Sequence, residues 1–94
     1  MAERVVHELH KPEDADTAES AIEIVRAWVI DQHLQCAVST DVFKDHAQWG
    51  VFLADMANHI ASGLNKVYGA DQAETLASIL KIFRNQFSDH EAMK

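Results

Sequence analysis

The sequence predicts an α+β fold: a β-hairpin packed on two antiparallel C-terminal helices, with Val5–His10 as a candidate third short strand. Three observations carry it. Residues 24–30 and 33–39 flank Asp31-Gln32 so that opposed positions share one wholly apolar face. Residues 49–67 and 76–87 each carry an apolar stripe at helical period. Pro12 and Gly69 punctuate the chain where turns are needed.

The N-terminal segment comes first. Val5 to His10 alternates loosely enough for a short strand. Lys11-Pro12-Glu13-Asp14 is a linker, because proline lacks a donor and restricts the residue before it. Asp16-Thr17-Ala18-Glu19 has capping-box spacing and predicts the start of a helical turn.

Residues 21–38 admit two readings. A helix would align Ala21, Ile22, Val25 and Val29. A two-residue hairpin would oppose Val25 to Val38, Ala27 to Cys36 and Val29 to Leu34, which makes one face apolar on both strands at once. Val, Ile and Trp also favour strands. The hairpin is preferred, although Asp-Gln is a poorer type I′ pair than Asp-Gly. Its opposite face then carries Ile24, Arg26, Trp28 and Ile30 with His33, Gln35, Ala37 and Ser39.

Thr40 to Lys44 forms a turn, and Asp45 to Gln48 repeats the capping spacing. A helix is predicted from about 46 to 67, with Trp49, Phe52, Leu53, Met56, Ile60, Leu64 and Val67 in its stripe and Gly69 as its stop. Asp71 to Glu74 caps a second helix, striped by Leu76, Ile79, Leu80, Phe83 and Phe87. The short connector makes the two helices antiparallel neighbours with Phe52, Leu53, Met56 and Ile60 against Leu76, Leu80 and Phe83. Trp49-Gly50 is read as packing, the glycine allowing another segment close. The chain is thus one domain of 94 residues: an acidic segment over 1–16, a helical turn and hairpin over 17–39, and a two-helix layer over 45–90.

Glu8-Leu9-His10, Arg26-Ala27-Trp28, Trp49-Gly50, Leu53-Ala54-Asp55 and His59 together resemble a small family of uncharacterised, mostly proteobacterial proteins known only as a domain of unknown function. The resemblance implies a compact α+β domain with a hairpin and two helices over nearly the whole chain. It implies no activity. Members typically carry glycine in the turn after the Arg-x-Trp strand, and Gln32 stands in that place here.

Composition narrows function more than it defines it. A net charge of -7 argues against binding a phosphate backbone, so no nucleic-acid partner is expected. Residues 1–20 hold six acids against Arg4 and Lys11, a solvated stretch or a lip for a basic partner. No apolar run is long enough to span a membrane, and none is expected as a partner. The first residues contain no apolar signal region, and Cys36 is the one thiol, so the reducing cytoplasm is the expected compartment.

Asp55 and His59 stand at i and i+4 on the first long helix. A carboxylate beside an imidazole is the orienting half of a base or a metal site. Its plainer role is a half-buried polar network with Arg26. His7 and His10 would point to opposite strand faces, and His33, His46 and His90 are expected at the surface. Cys36 is expected on the core face as a small hydrophobe. The sequence contains no nucleophile elbow, glycine-rich phosphate loop or HExxH pattern. Neither a cofactor nor a metal is expected, and no catalytic residue is assigned.

The expectation is therefore a non-enzymatic protein-interaction module, a homodimer or a binder of another protein, using Ile24, Arg26, Trp28 and Ile30. Whether Val5–His10 covers that face stays open. Three alternatives stand beside it: a small metal- or ligand-binding protein using Asp55, His59 and Arg26, a small enzyme with His59 as base, and an acidic chaperone-like dimer.

Overall fold

A computed structural model of the chain describes residues 4–92, with side chains through residue 88. The chain divides into two compact units, Met1–Val42 and Phe43–Lys94. Together they give the α+β content expected: one antiparallel hairpin and two long C-terminal helices.

In the first unit, residues 4–11 adopt no regular secondary structure, so the candidate strand Val5–His10 does not form. Val5, Val6 and Leu9 are 74%, 56% and 95% exposed, leaving no buried face for a strand to follow. The helical turn also comes earlier than its capping pattern predicted. α1 spans Asp14–Thr17 and ends where the pattern would begin one. Pro12 supplies the reason: its φ is pre-set for a turn, and its carbonyl accepts the Ala15 N–H at 3.0 Å. Ala18 then turns extended, with ψ of 153°.

β1 (Val25–Ile30) and β2 (His33–Val38) form the hairpin in the predicted register, with Val25 opposite Val38, Ala27 opposite Cys36 and Val29 opposite Leu34. The two turn residues both occupy the left-handed region, Asp31 at φ 49° and Gln32 at φ 71°. Positive φ at both central residues is the type I′ geometry that matches strand twist. Aspartate tolerates it; glutamine gains nothing locally to offset it. Gln32→Gly should accordingly stabilise the hairpin by about 1 kcal/mol. Thermal unfolding of the two proteins tests this, and an unchanged or lower midpoint would refute it.

The second unit begins with an aromatic cluster. Trp49 meets Phe43 edge-on at 5.0 Å between ring centroids and Phe52 at 5.5 Å. α2 spans Gln48–Tyr68, two residues later at its start than the spacing predicted. Asp45 Oδ1 accepts the Ala47 N–H at 2.9 Å, so the carboxylate closes a tight turn ahead of the helix. Gly69 ends α2 at φ 72°, donating its N–H to the Asn65 carbonyl at 2.8 Å. Asn65 Nδ2 also reaches the Ala70 carbonyl at 2.9 Å. α3 (Gln72–Ala92) is capped by Asp71, whose Oδ1 accepts the Glu74 N–H at 2.9 Å. A Cβ at Gly50 would meet nothing within 4 Å, so the close approach expected there does not occur.

α2 and α3 contact each other across the three-residue connector. Ala61 is the one fully buried residue among those described, and Leu64, Thr75, Leu76 and Ile79 are half-buried. Phe52 is half-buried in the aromatic cluster, and the rest of the expected helical core is open. Leu53, Met56, Ile60, Leu80 and Phe83 are all 42–49% exposed. The stripes run along the helices as predicted, but in one chain they find cover only around Ala61 and, at the start of α2, in the aromatic cluster of Trp49 and Phe52.

Candidate functional site

The hairpin organises the surface of the first unit. Its register puts Val25, Ala27, Val29, Leu34, Cys36 and Val38 on one face. That face was expected to be core. Instead Val29 and Leu34, directly opposed, are 74% and 72% exposed, and Cys36 is an exposed free thiol. On the other face Ile24 and Trp28 are half-buried, while Ile30 is 43% exposed and Arg26 is exposed. The four residues expected to form an interface therefore share a face, but the more open apolar surface lies behind them. Sequence alternation identifies two faces; it does not say which one the rest of the chain covers.

Residues 7–12 and part of β1 line one open groove of about 780 Å³, with His7, Glu8, His10, Lys11, Arg26 and Trp28 in its walls. Its charged groups partner one another. Arg26 Nε donates to Glu23 Oε1 at 2.7 Å and Nη2 to Glu23 Oε2 at 3.1 Å, a two-pronged pair, with Glu8 Oε2 4.0 Å from Nη1. Lys11 pairs with Asp16 at 2.6 Å. The partner of Arg26 within the first unit is thus Glu23, an opposite charge only three residues away, and not the expected Asp55 and His59. That proximity was the available signal.

The hydrogen bond from Arg26 holds the Glu23 carboxyl below its ordinary value, and the same bond raises the guanidinium. A carboxyl lowered on folding contributes stability above its unfolded pKa, and that contribution is lost as pH falls through the folded value. Both groups are solvated, so the effect is small. In Arg26→Gln the Glu23 titration midpoint should rise to the ordinary glutamate range. Side-chain carboxyl NMR reads this directly, and a midpoint that does not move would disprove the pairing.

Asp55 and His59 are both exposed on α2, and no hydrogen bond or ion pair joins them among the described residues. The half-buried network expected from them is not formed in the single chain. His7, His10, His33 and His46 are exposed; the side chain of His90 lies outside the described residues. Among the described residues, no group of three or more His, Cys, Asp or Glu is placed to hold a metal ion. No described helix is long and apolar enough to cross a membrane.

The hairpin followed by two long helices, with its apolar faces open, defines a small α+β domain whose sequence belongs to a recognised family. Residues 8–91 match the model of Domain of unknown function (DUF5076), and the chain is a member of that family. The match runs through both units. Among solved structures, a chain from the photosynthetic bacterium Rhodopseudomonas palustrus CGA009, provisionally named a pyruvate dehydrogenase, is 31% identical with a TM-score of 0.68. The similarity covers 88% of the present chain and 84% of that one. No curated protein matches.

Proposed function

We propose that this protein is a non-enzymatic interaction module that works as a homodimer. One observation carries the reading. Among the described residues of a single chain Ala61 alone is fully buried, while eighteen large apolar side chains are at least 42% exposed. Scattered apolar residues need no explanation; an opposed pair such as Val29 and Leu34 on a continuous apolar face marks a binding surface. The exposed, free Cys36 thiol supports a reducing cytoplasmic setting.

The reaction attached to the similar chain from Rhodopseudomonas palustrus is not part of this reading.

Sedimentation equilibrium from low to high micromolar concentration tests the proposal. The expected mass is twice that of the 10.5 kDa chain. A single-chain mass across the whole range would refute it.

A further inference from the structure

We propose that two copies join through the outer edge of β2, antiparallel about a two-fold axis at Cys36, to make one four-stranded sheet; this rests on the homodimer reading above. The hydrogen-bond parity of the hairpin is the starting point. Ser39 donates its N–H to the Ile24 carbonyl at 2.8 Å. In an antiparallel ladder, hydrogen-bonded and non-hydrogen-bonded pairs alternate. Arg26–Ala37, Trp28–Gln35 and Ile30–His33 are therefore bonded pairs, and Val25–Val38, Ala27–Cys36 and Val29–Leu34 are not.

It follows that the backbone N–H and C=O groups of Leu34, Cys36 and Val38 point away from β1. The sheet has two strands, and among the described residues no backbone group pairs with these. The groove that His7 to Pro12 line is shared with Val25 to Trp28 of β1 and with no residue of β2. Both outer edges lack a paired strand among the described residues, and that of β2 is the one with no neighbouring segment across a groove. A two-stranded sheet is marginal in water, and an unguarded edge invites another strand.

The sequence of β2 fits a second copy of itself. With Cys36 opposite the partner's Cys36, Leu34 falls opposite the partner's Val38, and Val38 opposite the partner's Leu34. Opposed side chains share a face, so these join the apolar face already carrying Val25, Ala27 and Val29. The other face opposes Gln35 to the partner's Ala37 and His33 to the partner's Ser39, with no like charges across the axis at neutral pH. An isologous contact must be complementary to itself, and β2 meets that condition.

Cys36→Pro isolates this edge. The Cys36 N–H points outward, so proline there deletes no hairpin hydrogen bond yet removes the central donors of the pairing. The dimer dissociation constant should rise about a hundredfold or more, with the Trp28–Gln35 pairing still visible by NMR. The native protein gives a second readout. Leu34 and Val38 lie about 13 Å apart along one strand. A nuclear Overhauser contact between their methyl groups must therefore come from the partner, and it should be present. If that contact is missing, or if Cys36→Pro dimerises as tightly as the native chain, the edge pairing is wrong while the homodimer stands. A native chain that is monomeric throughout would overturn both.

Discussion

Leu34→Glu should yield a folded monomer. Leu34 opposes Val29 in the hairpin, and the two are 72% and 74% exposed in the single chain. In that chain a glutamate at position 34 faces water, so hairpin stability should change by no more than about 0.5 kcal/mol. The edge pairing proposed above extends the Val29–Leu34 face without covering it; in a dimer whose other elements also cover that face, the same carboxylate loses its water without gaining a partner. An unpaired buried charge costs about 3–5 kcal/mol, equivalent to two or three orders of magnitude in dissociation constant. The asymmetry makes the substitution informative: circular dichroism should be nearly unchanged at high concentration while the sedimenting mass halves. Retention of the dimer mass would show that this face is not the interface. Loss of the hairpin itself would show that Leu34 supports the fold within one copy.

The second large effect is expected at Ala61. It is fully buried, with half-buried Ala57 and Leu64 on the same side of α2, about two turns before the connector to α3. Ala61→Asp places a carboxylate where no partner is available, and should destabilise the helical pair by several kcal/mol. Ala61→Leu tests the packing alone, and overfilling a closed site costs about 1–3 kcal/mol. Denaturant unfolding followed by the helical signal measures both. If Ala61→Asp changes stability by less than about 0.5 kcal/mol, the contact around Ala61 does not hold the helices together.

The hairpin was legible because two strands had to agree. Alternation in one strand is weak evidence; alternation in two, with opposed residues all apolar about Asp31-Gln32, fixes both the strands and their register. The helix ends were legible because Gly69 and Asp71 act within a few residues of themselves. The failures share a cause of the opposite kind. A stripe such as Leu53, Met56 and Ile60 shows which side of a helix seeks cover, but not whether its own chain provides it. Cys36 was assigned to a core face for the same reason. The strand expected at Val5–His10 failed because alternation without a pairing partner specifies nothing. Arg26 was matched to distant residues, although Glu23 could reach it with little loss of chain entropy. The candidate site was therefore legible as a pair of faces and not as a choice between them.

The two turns also bear on how fast the protein assembles. Asp31-Gln32 closes the hairpin with two residues, and three residues connect α2 to α3. Each piece forms from neighbours in sequence, where loop closure takes well under a microsecond and a hairpin about 1–10 μs. The strand-to-strand joining of two copies proposed above would have no such shortcut, because it waits on diffusion. Refolding from denaturant should therefore separate into rapid phases independent of protein concentration and a later phase whose rate rises in proportion to it. During that interval the exposed edge of β2 can also join a wrong strand, so the yield of native protein should depend on how dilute the chains are when they begin to fold.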